Sequence, residues 1–202
     1  YQSLVSEVPI AWELLVKNVP PDKRDDMDYL LDMLDWDANL DPTFKNTYFR
    51  VPVDVKPMDD MRDAGYVYLV IDDCWHGERD PKTGEIRSNE KFPDMKALAD
   101  YVHSLGLKIG LYTDCGPKTC AGYEGSEGHE EQDILTYAKW GYDYVKIDWC
   151  YCEGKDPRVA YKKFGEAIKK APRDIVFSIC NWGQQNPWEW GESVGGNLWR
   201  TT

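Results

Sequence analysis

From residue 66 onward the chain alternates short, β-branched and aromatic apolar runs with longer stretches in which apolar residues recur every three or four positions. The runs at 66–73, 107–114, 143–149 and 175–181 predict strands, with a shorter candidate at 197–202. Between them, 93–105 places Met95, Leu98, Ala99, Val102 and Leu105 on one helical face, and Gly106 supplies a stop. The stretch 130–140 repeats the design and ends at Gly141; 158–170 does so again, with Ala160, Phe164, Ala167 and Ile168 expected to face inward. Each helix is followed at once by a Val/Ile-rich strand, so the crossovers are expected to be parallel and right-handed.

The fold class this predicts is α/β, and the repeat interval fits the units of ~31 residues into which a (β/α)8 TIM barrel divides. About five strands can be counted against the eight that closure needs, so the chain covers such a barrel only in part. An open doubly wound sheet is the competitor, but no Gly-rich phosphate loop follows any strand, and Gly65 precedes one. Residues 1–52 stand outside the rhythm: 10–16 and 27–34 look helical, Pro20-Pro21 interrupts them, and 35–41 is acidic and turn-forming. The expected division is therefore an N-terminal segment of unclear origin, 1–52, followed by a partial barrel, 53–202.

Composition narrows the partners. Hydrophobic residues are 42% and charged residues 30%, and no apolar run approaches the ~20 residues that cross a bilayer. A formal charge of -12, with no Lys/Arg cluster to reverse it locally, argues against nucleic acid and anionic membrane surfaces. Neutral ligands escape that argument, and nine Trp with thirteen Tyr supply flat faces of the kind sugar rings stack on, although most such aromatics serve packing.

Polar side chains recur at the carboxyl end of every predicted strand, where a barrel places its active site. Asp72 and Asp73 close one, Tyr112 and Asp114 the next, Lys146 and Asp148 the third, Asn181 and Trp182 the fourth, and Arg200 lies in the last. Strand alternation puts Lys146 and Asp148 on one face and Val145, Ile147 and Trp149 on the other. A Lys and an Asp aimed into a barrel mouth must pair or bind something; a buried ion pair is the plain alternative to a site. The six cysteines are Cys74, Cys115, Cys120, Cys150, Cys152 and Cys180. Their C-x4-C and C-x-C spacings admit zinc, but the second pair ends a strand, and one disulfide with several thiols is the favoured outcome.

The segment Ile71-Asp72-Asp73-Cys74-Trp75 resembles the aspartate pair that holds the O4 and O6 hydroxyls of galactose in melibiase-type α-galactosidases, glycoside hydrolase family 27 (clan D). Lys118-Thr119-Cys120-Ala121-Gly122-Tyr123 and Lys146-x-Asp148-x-Cys150 are similar to two further segments of that family, in the same order, and the likeness runs from about residue 58 to the end. The resemblance implies Asp148 as nucleophile and Asp72, Asp73, Tyr112, Lys146, Asn181, Trp182 and Arg200 as substrate-binding residues, Arg200 near the C2 substituent. It implies a Cys120–Cys150 disulfide beside the site, hence a secreted, periplasmic or lysosome-like oxidising compartment, and needs no metal or organic cofactor.

Three departures temper it. Asn181 stands where many relatives carry Glu, residues 1–52 lack the family's first-strand Trp segment, and the acid/base Asp expected four positions after Arg200 falls beyond residue 202. The function implied is retaining hydrolysis of terminal α-D-galactosyl residues on a galactose-configured oligosaccharide or glycoconjugate. The alternatives are a neighbouring specificity (α-N-acetylgalactosaminidase, β-L-arabinopyranosidase or glucan-acting) and a non-catalytic or engineered partial barrel. An oligomer partner or a further portion of chain is expected to complete the barrel.

Overall fold

The computed structural model describes residues 62, 63 and 65–202. The chain divides into two units, Tyr1–Ala64 and Gly65–Thr202, and the architecture below is that of the second. The helices expected at 10–16 and 27–34, and the segment 1–52 as a whole, lie outside the described residues.

Five parallel strands follow one another in sequence and in space: β1 (Tyr68–Ile71), β2 (Lys108–Asp114), β3 (Tyr144–Asp148), β4 (Val176–Cys180) and β5 (Leu198–Trp199), in the order β1-β2-β3-β4-β5. That unbroken order is how barrel strands succeed one another; a doubly wound sheet would reverse direction partway. Helices α1 (Met95–Ser104), α2 (Glu130–Trp140) and α3 (Pro157–Lys170) fill the first three crossovers, and a short α4 (Pro187–Trp190) with one 3-10 turn, Glu192–Val194, fills the last. Asp94 caps α1 by accepting from Ala97 N at 2.9 Å; Asp156, followed by Pro157 in the first turn, caps α3 through Arg158 N.

The core lies between helices and sheet. Ile109, Leu111, Val145, Ile147, Phe177 and Ile179 are buried on one face of the strands, together with Met95, Ala99 and Val102 of α1, Ile134 and Tyr137 of α2, and Phe164 of α3. In α3, Tyr161 is a core residue that the periodicity missed, stacking between Trp149 and Trp190, while Ala160 and Ile168 are only half-buried. The other face carries Tyr68, Val70, Tyr112, Tyr144, Lys146, Asp148, Ser178 and Cys180 by the same alternation. On it Tyr68 and Tyr144 approach across Gly110, where a Cβ would come within 2.7 Å of the Tyr144 ring.

Two ionic clusters, the first largely buried and the second part-buried, pin the layers. Arg79, beyond β1, places both terminal guanidinium nitrogens on Asp133 of α2, at 2.8 and 2.6 Å, and also donates to the carbonyls of Gly84 and Gly125. At the amino end of β3, Asp143 accepts from His103 Nε2 at 2.7 Å, from Ile109 N at 3.1 Å and from Arg173.

Two strands, β1 and β5, are each four residues shorter than expected, while the other three lose only one or two. β1 stops at Ile71, and beyond it Asp72 and Asp73 turn their carboxylates onto the next backbone N–H groups, Asp73 N at 2.9 Å and Cys74 N at 2.6 Å, local bonds that compete with the ladder. β5 has two residues, so Arg200 lies just beyond the strand rather than in it, although its N–H still donates to Ile179 O at 2.9 Å.

Candidate active site

The carboxyl ends of the strands bring the expected residues together. Asp148, last in β3, lies in register between Asp114 of β2 and Cys180 of β4, and Lys146 lies between Tyr112 and Ser178. Asp148 is 6% exposed; its Oδ1 accepts from Trp149 N at 3.0 Å, and its Oδ2 is 3.5 Å from the sulfur of Cys120. Cys120 and Cys150 form the disulfide that the resemblance implied, with Cα atoms 5.3 Å apart.

Lys146 pairs with Asp72 rather than with Asp148: Nζ is 2.8 Å from Asp72 Oδ2 and 5.1 Å from the centre of the Tyr112 ring. Burial works against the ammonium, but its surroundings, Asp72 first and Asp148 in the same direction, together outweigh burial and lift the Lys146 pKa above the usual lysine range. The amine is therefore a fixed positive charge on the floor of the site. Tyr112 is fully buried, and burial followed by the surrounding carboxylates Asp148, Asp73 and Asp114 keeps its phenol protonated.

The 118–123 segment lies over this floor and explains why it accompanies the aspartate pair. Ala121 N donates to Asp73 Oδ2 at 2.9 Å, and Cys120 N reaches the Tyr112 hydroxyl at 3.4 Å. The segment is braced by Thr119 N to Tyr123 O at 2.9 Å and by the Lys118–Glu124 ion pair. Burial raises the Asp73 carboxyl pKa despite these N–H donors.

Asn181, Trp182 and Arg200 stand at the next two strand ends. Asn181 is fully buried and spends its amide N–H on Gln184 O, leaving Oδ1 without a hydrogen-bond partner. Trp182 is 36% exposed and takes φ 56°, as Tyr151 does after β3 and Cys74, at φ 78°, after β1. Left-handed backbone at residues other than glycine, repeated just past three strand ends, is the strain expected around a built site.

Two residues at the mouth had no assigned role from sequence. Asp114 is fully buried, and burial pushes its carboxyl up to about 7, against the Gly116 and Cys150 N–H groups that pull it down. His76, behind Asp73, is 1% exposed and stacks on Trp75 at 4.0 Å. Burial, then Arg79, lowers its pKa to about 3, so the imidazole is neutral and the 3.7 Å approach to Asp73 is no ion pair. Asp114 had a visible signal, its place two residues after Tyr112 on one strand face; His76 had none.

Ligand atoms of Asp114, Cys120, Asp148 and Cys150 lie within 4.8 Å of one another, but both sulfurs are committed to the disulfide and offer no thiolate to a metal.

A parallel sheet of this strand order, with carboxylates and a lysine gathered at the carboxyl ends of its strands, is the sector of a (β/α)8 barrel that carries an active site. The sequence model of the family described as Alpha galactosidase A matches residues 27–193. Alpha-galactosidase A of Cellvibrio japonicus is 56% identical over 155 residues, which are 76% of this chain and 38% of that protein. Alpha-galactosidase 2 of Arabidopsis thaliana is 49% identical over 142 residues, 68% of this chain and 35% of that one. Among solved structures, the α-galactosidase of Saccharomyces cerevisiae with raffinose superposes with a TM-score of 0.66 at 36% identity, covering 71% of this chain and 34% of that one. The chain belongs to the melibiase family of α-galactosidases, and it spans between about a third and two fifths of the length of these relatives.

Proposed function

We propose that this chain supplies the nucleophile and the galactose-recognising half of a retaining α-galactosidase. One observation carries the reading: Asp72, Asp73 and Asp148 are gathered onto one strand-end surface, the first two fixed by Lys146 and by the Ala121 N–H. Asp72 and Asp73 hold O4 and O6 of a galactose-configured ring, Tyr112 and Lys146 line its floor, Asn181 and Trp182 flank it, and Arg200 lies toward C2. Asp148 attacks the anomeric carbon to give a covalent glycosyl-enzyme. A second carboxyl group, ~5–5.5 Å from it in retaining enzymes, protonates the leaving oxygen and then activates water. By the family resemblance that carboxyl belongs four positions beyond Arg200. The yeast relative was solved with raffinose, a galactoside, which supports this substrate class. The Cys120–Cys150 disulfide supports an oxidising compartment.

Galactose and glucose differ in the O4 configuration, so calorimetry with the two sugars tests the reading. Asp73, whose side chain is 16% exposed, is the carboxylate that loses most when left without its hydroxyl, roughly 10–10²-fold in affinity, and galactose should bind that much more tightly than glucose. Equal affinities would remove Asp72 and Asp73 from sugar recognition.

A further inference from the structure

The loops that leave β2 and β3 are fastened together at one residue, Cys150, by two different bonds. Its sulfur is joined to Cys120 in the disulfide. Its backbone N–H donates at 2.9 Å to Oδ2 of Asp114, a fully buried carboxylate whose other oxygen accepts from Gly116 N at 2.7 Å. The two loops touch here backbone to backbone: a Cβ on Gly116 would lie 2.1 Å from the Cys150 carbonyl oxygen. Further ties converge on the same junction, since Cys115 N donates to Asp148 O and Ser126 N to Asp114 O, each at 3.0 Å. Asp114 is the register partner of Asp148, which precedes Cys150 by two residues, and a carboxylate oxygen of each lies within 4.8 Å of the other.

Every hydrogen bond given to the Asp114 carboxylate is donated by backbone N–H. Only a group with two acceptor oxygens can take both at once. The disulfide limits how far the loops can part, while the carboxylate fixes the Trp149–Cys150 peptide, one residue beyond the nucleophile, and with it the backbone that carries Asp148. From this geometry we infer that Asp114 is a positioning residue for the nucleophile: through Cys150 it aligns Asp148 with the anomeric carbon while itself touching no substrate. The inference rests on the galactosidase reading above. Asp114 is distinct from the residues that reading assigns to the sugar, because both its oxygens are spent on the protein.

The test uses Asp114→Asn in the full polypeptide with α-D-galactosyl fluoride, whose leaving group needs no protonation, followed as the single-turnover release of fluoride so that the step read is attack by Asp148. An amide accepts one N–H and turns its NH2 toward the other, so the junction should shift by a fraction of an ångström. Misalignment of that order costs roughly 10²-fold in turnover. The expected result is a rate constant for that step lower by that factor, with KM and the galactose Kd within threefold of wild type and the disulfide intact by peptide mapping. A rate constant within threefold of wild type, or a KM that rises in step with its fall, overturns the inference. If wild type itself neither releases fluoride nor binds galactose, the galactosidase reading fails and the positioning role falls with it. Because the variant could fail to fold, a second measurement uses the unmodified protein. The Cys150 amide should be among the slowest in its loop to exchange hydrogen; exchange at the rate of an exposed loop amide refutes the fastening.

Discussion

Asp73 accepts from Cys74 N through Oδ1 and from Ala121 N through Oδ2, and no neutral amide can reproduce both bonds. Asp73→Asn should therefore lower stability by about 1–3 kcal/mol and weaken galactose binding roughly 10–10²-fold, read by urea unfolding and calorimetry. Galactose binding within twofold of wild type would mean that Asp73 serves only the loop. The face that Lys146 and Asp148 share with Tyr112 and Asp114 was legible in the sequence, because strand alternation has a period of two and the apolar partners Val145 and Ile147 mark the opposite face. The choice of Asp72 as the partner of Lys146 was not, since that pair joins β3 to the turn after β1, 74 positions apart. Nor was the grip of Asp114 on Cys150, a bond between loops separated by 36 positions whose backbone paths no periodicity encodes.

The elements themselves were the most legible part, because each helix carries a stripe and a stop and each strand a continuous apolar run; their ends were less so. β1 and β5 shortened where local carboxylate–backbone bonds or the lack of paired residues ended the ladder, which propensity alone does not anticipate. Asp143 holds the opposite ends of three elements, the end of α1 through His103, the start of β2 through Ile109 and the α3–β4 connection through Arg173. Burial works against its charge, but these partners win and hold its carboxyl pKa below the ordinary value. A depressed folded-state pKa gives stability that is full above the unfolded value of about 4 and is lost as pH falls through the folded one. Asp143→Asn is thus expected to lower the unfolding free energy by about 2 kcal/mol at pH 7, with the gap to wild type closing at acid pH. A gap that stays constant down to pH 2 would show that the clamp acts through shape and not through charge.

Across the whole molecule, the described sheet has β1 and β5 at its edges, and Val67, Val70 and Leu198 there are 54%, 39% and 43% exposed. Unpaired strand edges with apolar neighbours template association. A polypeptide limited to Gly65–Thr202 should accordingly sediment as oligomers or precipitate, and a stable monomer would show that these edges are protected in a way the sheet does not reveal. The barrel class was legible from the strand-helix rhythm, whereas the strand order that excludes a doubly wound sheet became visible only in three dimensions. The central claim, that this sheet presents Asp148 as the nucleophile of a retaining galactosidase, is tested most directly by trapping the glycosyl-enzyme. A fluorinated galactosyl fluoride slows turnover of the intermediate, and digestion with mass spectrometry then locates the added sugar. The account predicts the fluorogalactosyl mass on the peptide containing Asp148, and no adduct after Asp148→Asn; a sugar carried on any other residue, or hydrolysis undiminished by that substitution, would contradict it.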